Sequence, residues 1–229
     1  SEDELELEMI GEERTAFFLV MSDTDKTFNF ILAMLLYQLF DVNTAIADRN
    51  PGSHCKIPIN CILDELANIG RIPDLDVKIA TLRSRWIYIT AILQSVTQLK
   101  KMYKDNADII EGNCDTTLFL GGKSTDTVKE IAESIGKETV ATVTWNESRG
   151  ASASSTRNWN TIERDLMQPA EVAKLPRDEA ILLIAGTDPL RDKKYDITAH
   201  PRWHSVYPGH EGAAFDRPFD FAEYAERRM

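Results

Sequence analysis

The chain has 229 residues, of which 43% are hydrophobic, and a net charge of −11 from 37 acidic and 26 basic side chains. This size and apolar content allow one sizeable core with room for a small appendage. The acidic balance excludes a protein that coats duplex DNA, because such binding depends on neutralising phosphates. Nucleic-acid contacts must then come from a local patch, from loops or from other parts of a larger protein. The apolar segments fall short of a membrane span and the first eight residues are acidic, so we expect a soluble, cytoplasmic chain.

Apolar runs and helical periodicities alternate along most of the chain. We predict a helix over residues 26–48, capped by Thr24 or Asp25. The other predicted helices are residues 73–85, 96–103, 107–113, 126–135, 162–167 and 169–174. The predicted strands are residues 15–21, 57–63, 86–93, 116–120, 141–145 and 179–185.

This alternation predicts an α/β fold, with a mostly parallel sheet and helices on both of its faces. Residues 1–190 would form the domain, and residues 191–229 an irregular C-terminal tail interrupted by Pro, Gly, His and Trp. Residues 147–160 are rich in Ser, Ala, Arg and Asn and lack periodicity, so we predict a mobile loop there.

Two carboxylates, Asp64 and Glu65, end the second apolar run. Ligands of open α/β sheets bind at the carboxyl ends of the strands, where these acids would lie. An apolar strand ending in Asp-Glu is the Walker B pattern of RecA-like ATPases. There the first acid holds the water shell of Mg²⁺ and the second orients the water that attacks the γ-phosphate. A strand that ends at the surface in two solvated acids fits this short pattern equally well.

Three further stretches, in this order along the chain, carry a more specific resemblance. They are residues 63–73 (LDELANIGRIP) leading into 79–85 (IATLRSR), residues 92–95 (ILQS) followed by Gln98, and residues 113–115 (NCD) followed by 118–122 (LFLGG). Together they resemble the nucleotide-binding domain of type IV coupling proteins, the TraG/TraD-like ATPases that feed DNA to conjugation machines. The resemblance extends from about residue 16 to residue 201.

The resemblance implies a RecA-like P-loop NTPase core that works as a ring, a homo-hexamer with ATP and Mg²⁺ at subunit boundaries. Asp64 matches the acid that holds Mg²⁺ through water, and Glu65 matches the catalytic carboxylate. Gln94 matches a sensor glutamine that contacts the γ-phosphate or the attacking water. Arg83 matches an arginine finger acting on the next subunit's nucleotide, an effect worth about 10³–10⁵ in rate where measured. Arg85, two residues on, competes for that role.

The Walker A loop, G-x-x-x-x-G-K-[ST], is absent from the sequence. Residues 121–125 (GGKST) mimic its end, but its first Gly would fall at position 117, which is Thr. We interpret this stretch as a coincidental match. The resemblance implies that the Walker A strand and membrane-spanning helices lie upstream, so we expect a partial domain that is inactive alone.

The implied function is that of a motor coupling ATP hydrolysis to the transfer of relaxase-bound DNA into a type IV secretion channel. Its implied partners are DNA, the relaxase or relaxosome, the channel components, and the cytoplasmic face of the bacterial membrane through an N-terminal segment. Two alternatives remain open. One is a DNA-pumping ATPase of the FtsK/HerA type, and the other is a non-catalytic interaction module that lacks the phosphate loop.

Overall fold

The computed structural model describes residues 5–21, 27–148 and 154–203; for residues 144–148 and 154–160 it describes the backbone alone. The chain divides into two units, Ser1–Asp192 and Lys193–Met229. In the second unit, the described residues contain a short 3₁₀ turn at Ile197–Ala199. All other elements begin in the first unit.

Six of the seven predicted helices form in the expected order, the helix at 162–167 does not form, and the short helix α2 was not predicted. The helices of the first unit are α1 (Asn29–Ala47), α2 (Leu66–Ile69), α3 (Leu75–Leu82), α4 (Val96–Tyr103), α5 (Ala107–Gly112), α6 (Thr125–Ile135) and α7 (Pro169–Val172). Local sequence sets several of their ends. A reciprocal pair of hydrogen bonds between Ser95 and Gln98 starts α4, and Gly136 ends α6 with a φ of 96°. The proposed caps Thr24 and Asp25 lie outside the described residues.

The strands form three separate groups. They are β1 (Ile59–Leu63), β2 (Ile87–Ala91), β3 (Thr116–Phe119), β4 (Lys137–Ser148), β5 (Ser154–Asp165), β6 (Glu179–Ile184) and β7 (Leu190–Lys193). β1 pairs with β2 in parallel, whereas β3 pairs with β6 and β4 with β5 antiparallel; β7 lies on the other side of β6. Among the described strands, the predicted parallel pairing is therefore found in β1 and β2. An apolar run identifies a strand but carries no information on its direction.

A long antiparallel hairpin, β4 and β5, replaces two predicted features. The predictions of a mobile loop at 147–160 and of a helix at 162–167 are both wrong for the residues that the structure describes. Residues 154–165 form a strand that pairs with residues 137–148. Each strand has 12 residues and spans about 40 Å. Thr, Trp and Ile favour strands, and pairing along the whole length outweighs the weak helical pattern of the polar sequence. Residues 191–193, the first residues of the predicted irregular tail, belong to β7.

The predicted first strand, at residues 15–21, is wrong: these residues form no strand in the structure. Strand formation needs a partner for the backbone amides and carbonyls, and no described strand pairs with this segment. Phe18 is 85% exposed and Val20 96% exposed, so the apolar run is also not buried.

Among the described residues, α1 is a helix long and apolar enough to cross a membrane by length and composition, with a mean hydropathy of 1.6. The expectation that every apolar segment is too short for a span is therefore wrong. One face of α1 is nevertheless packed in the larger core through Leu36, Leu39 and Phe40. Core helices of soluble proteins pass the same test of length and composition.

Two hydrophobic cores underlie the fold. The larger core joins α1, β1, α2, α3, β2, α4 and α5, and the smaller joins β3, α6, α7 and β6. Leu66, Ile87 and Ile110 are almost completely buried in the larger core, and Val172 and Ile181 in the smaller one. The carboxyl ends of β1 and β2 lie on the larger core, which therefore fixes the position of the acids that follow β1.

Replacing Phe40, which is 0% exposed, tests this packing. We expect Phe40→Ala to lower the free energy of unfolding by about 3–5 kcal/mol, because it removes buried apolar contacts and leaves a cavity. Phe30→Ala, on the same helix at 60% exposure, should cost less than about 1 kcal/mol. Urea denaturation measures both values, and equal losses would contradict the described burial of α1.

Candidate functional site

The predicted acids and the predicted sensor glutamine meet at one edge of the parallel strand pair. β1 and β2 end opposite each other, with Leu63 paired to Ala91. Two backbone hydrogen bonds of 3.0 Å, from the Ile92 amide to the Leu63 carbonyl and from the Leu66 amide to the Ile92 carbonyl, hold the segments beyond the strands together. Parallel pairing thus brings residues that are about 30 positions apart in the sequence to the same place.

Glu65 makes the turn from β1 into α2. Its backbone has φ 50° and ψ 60°, in the left-handed region that glutamate rarely adopts, at a cost of about 1–2 kcal/mol. The turn leaves its side chain half-buried and directed at the segment after β2, where the Gln94 side-chain amide donates a hydrogen bond of 2.9 Å to Glu65 Oε2. The structure therefore joins two of the predicted catalytic residues directly.

Gln98 is a site residue that sequence reasoning missed. Its Nε2 donates to Glu65 Oε1 at 3.1 Å, so that each oxygen of the carboxylate accepts from one glutamine amide. Its Oε1 accepts from the backbone amides of Gln94, at 2.9 Å, and Ser95, at 3.2 Å. The signal was available: Ser95 followed three residues later by Gln is the pattern of a helix capping box.

Asp64 precedes Glu65 and is exposed. No hydrogen bond or ion pair to its carboxylate is found within the described residues. The described part of the chain also contains no cluster of three or more His, Cys, Asp or Glu side chains that would hold a metal ion. Magnesium in phosphate-binding sites typically keeps several waters and uses one or two carboxylates together with phosphate oxygens. A single solvated Asp64 fits such a water-mediated ligand, and Mg²⁺ bound there would neutralise phosphate charge.

The two predicted arginines lie at the opposite end of the strand pair. Both belong to the 3₁₀ turn Arg83–Arg85, which precedes β2, so about 16 Å of strand separates them from the carboxyl edge. Arg85 donates to the Thr81 carbonyl at 3.1 Å and pairs with Asp48 at 3.0 Å, so its contacts are structural. Arg83 forms an ion pair with Asp115, in which both side chains are more than half exposed. The structure does not bring Arg83 to Glu65 within one chain.

Helix α4, which carries Gln98, is held against α6. The Val96 amide donates to Thr127 Oγ1 at 3.1 Å, Thr97 Oγ1 donates to Asp126 Oδ2 at 3.2 Å, and Lys100 pairs with Glu130 at 3.0 Å. These contacts run along the first turns of both helices. They connect the larger core, under the acids, to the smaller core.

A pair of carboxyl groups extends this contact to α5. Partial burial, together with a hydrogen bond to the Glu130 carboxylate, raises the pKa of Glu111 to about 7. Lys100 opposes this rise and Asp108 adds to it. Glu111 thus gains a proton on folding at mildly acidic pH.

A family model described as the TraM recognition site of TraD and TraG matches residues 58–177, more than half of the chain. The chain belongs to the TraG/TraD family of type IV secretion coupling proteins. Its curated relatives include the conjugal transfer protein TraG of Rhizobium radiobacter, which is 30% identical over 133 residues. Protein VirD4 of Agrobacterium fabrum is 24% identical over 183 residues.

Solved structures of the conjugative coupling protein TrwB have the same fold as this coupling-protein chain. One of them, unbound, matches with a TM-score of 0.56 at 23% identity over 73% of this chain. Another, in complex with ADP and Mg²⁺, matches with a TM-score of 0.53 at 23% identity over 76% of this chain. The predicted α/β fold class is thereby confirmed.

This member of the coupling-protein family spans only part of its relatives. The match to the TraG protein includes 57% of this chain but 21% of TraG. The match to VirD4 includes 79% of this chain but 27% of VirD4. It also covers 38% of the unbound TrwB chain.

The different surroundings of the two arginines predict different effects on folding. Arg83→Ala should lower the free energy of unfolding by less than about 1 kcal/mol, because an exposed ion pair contributes little. Arg85→Ala should cost about 1–2 kcal/mol, since it removes a largely buried side chain together with its hydrogen bond to the Thr81 carbonyl and its ion pair with Asp48. Urea denaturation of the two variants measures the difference, and the reverse order would contradict these assignments.

The raised pKa of Glu111 predicts a pH dependence of stability. The proton-linked contribution should be fully present below about pH 4.5 and be lost as the pH rises through about 7, because the folded chain holds this proton more tightly than the unfolded chain. Urea midpoints measured from pH 4.5 to 8 should fall for the unmodified chain and fall less for Glu111→Gln. Glu133→Gln, an exposed change on α6, is the control and should keep the full decline; a decline equally steep in Glu111→Gln would refute the assignment.

Proposed function

We propose that this chain supplies the hydrolytic half of an ATP-driven coupling protein that moves relaxase-bound DNA into a conjugative type IV secretion channel. The observation that carries the proposal is the Glu65 carboxylate, held by two glutamine amides at the carboxyl edge of two parallel strands. Ligands of α/β sheets bind at such an edge. The TrwB structure in complex with ADP and Mg²⁺ shares this fold and supports ATP and Mg²⁺ as the cofactors.

In the proposed reaction, Glu65 orients the attacking water and accepts its proton. A carboxylate does this best when it is held in one orientation near the reacting atoms. The exposed Gln94 amide, one of its two donors, is able to turn from Glu65 to a phosphate oxygen or to the attacking water. Asp64 would hold Mg²⁺ through water. The phosphate cradle is absent from these 229 residues and belongs, in this proposal, to further sequence of the complete protein.

Arg83 is proposed to act on the nucleotide of a neighbouring subunit. It lies at the far end of the strands from Glu65, and 70% of its side chain is exposed, so it is free to reach across a subunit boundary. Its ion pair with Asp115 costs little to break, because both side chains are largely exposed. Arg85, with its several contacts inside the chain, is the weaker candidate. This division requires a ring, which we propose to be a homo-hexamer.

The proposed partners follow from the family. The description of the matched family model names TraM recognition, so we propose that residues 58–177 also contact a component of the relaxosome. The net charge of −11 limits direct DNA binding to local surfaces. The complete protein would work at the cytoplasmic face of the cell membrane, next to the channel. Relatives named as conjugal transfer proteins favour this branch over a FtsK/HerA-type pump.

Mixed rings of two inactive variants of the complete protein test the proposal. Glu65→Gln should lower ATP turnover by about 10²–10⁴ through loss of the base, and Arg83→Ala by about 10³ or more through loss of charge stabilisation. Mixing the two should restore part of the activity, because some subunit boundaries then combine an intact Glu65 with an intact Arg83. The control mixture combines Glu65→Gln with Arg85→Ala in place of Arg83→Ala.

Full turnover by Glu65→Gln would refute the catalytic assignment. Loss of activity in both single variants with no recovery on mixing would refute the action of Arg83 across the boundary. DNA transfer between cells, measured with the same variants, should follow ATP turnover.

A further inference from the structure

The side chain of Gln98 has two functions that can be separated. Its oxygen accepts from the backbone amides of Gln94 and Ser95, which closes the capping box of α4. Its nitrogen donates to Glu65, which lies in the turn after β1 and not on helix α4. The first function needs an acceptor, which glutamate also provides; the second needs a donor, which glutamate lacks.

We propose that Gln98 is a positioning residue for the hydrolytic carboxylate. It fixes Glu65 through one end of its amide and the backbone of the sensor segment, residues 94–95, through the other. This inference rests on the proposed function of Glu65. The structure supports it with four hydrogen bonds of 2.9–3.2 Å that join three side chains and two backbone amides.

The network restricts how Glu65 moves. Gln94 is exposed and holds one carboxylate oxygen, whereas Gln98 is half-buried, on a helix anchored to α6. If Gln94 turns toward a phosphate, Gln98 still holds the other oxygen. Small misplacements of a catalytic group cost up to about 10²-fold in rate, so the loss of Gln98 should lower kcat.

Gln98→Glu isolates the positioning function, because it keeps the acceptor of the capping box and replaces the donor with a second carboxylate. In the complete protein we expect kcat to fall by about 10-fold or more with KM changed less than about threefold. The acid limb of the pH–rate profile should move up by about one pH unit, since a neighbouring negative charge disfavours an ionised carboxylate. A residue that only caps a helix would leave this limb in place.

The matched control is Glu171→Gln, at the equivalent position of the capping box of α7, where the backbone amide of Gln168 donates to Glu171 Oε2 at 2.7 Å. It makes the reverse exchange of acid and amide away from the site. Its kcat and pH–rate profile should match those of the unmodified protein. If it lowers kcat as Gln98→Glu does, a general effect of the capping box explains both and the inference is wrong.

A stability cycle on the 229-residue chain tests the contact without ATP. Gln98→Glu alone should lower the folding equilibrium constant by about 10-fold, because two carboxylates then face each other. The double variant Glu65→Gln/Gln98→Glu restores a donor opposite an acceptor and should return to within about threefold of the unmodified chain. Additive losses would show that the two side chains are not coupled, which would overturn the inference even if Gln98→Glu is too unstable for kinetics.

The outcomes separate the two claims. If Glu65→Gln retains full turnover, the proposed function fails, whatever Gln98 does. If Glu65→Gln abolishes turnover while Gln98→Glu keeps both kcat and the acid limb, the positioning inference alone is wrong.

Discussion

The parallel pairing of β1 with β2 is the constraint on which the candidate site depends. It places the turn after β1, with Asp64 and Glu65, beside the turn after β2, with Gln94. The larger core under these strands fixes their position, and α4 adds Gln98 to the same carboxylate. The same pairing puts Arg83 at the other end of the strands. One strand pair therefore separates the groups proposed to act within a subunit from the group proposed to act on its neighbour.

Much of this edge was predictable from the sequence, because the information is local. The apolar run before Asp64 identifies β1, and the β-branched run before Gln94 identifies β2. Their contact follows once the two strands are assumed to pair in parallel. The role of Gln98 was harder to recognise, since a capping-box glutamine has an ordinary local function and its second partner lies 33 residues away.

The errors in the fold come from features that depend on distant pairing. Residues 15–21 have the composition of a strand but no described partner, and residues 154–165 are polar but pair along their whole length with β4. The direction of β3 is likewise set by its pairing with β6, in a smaller core that the sequence does not mark as separate. Residue type sets a preference for extended backbone, whereas the ladder of a partner decides whether a strand forms and in which direction.

The most direct test of the central claim is a structure of the complete protein bound to ADP and a metal-fluoride mimic of the transferred phosphate. We expect the mimic to lie within hydrogen-bonding reach of Glu65, through a water, and of Gln94, with Arg83 of the adjacent subunit next to it. A nucleotide bound elsewhere, for example against the turn at residues 121–125, would rule out this role of Glu65, because the carboxyl edge of β1 and β2 would then have no phosphate to act on.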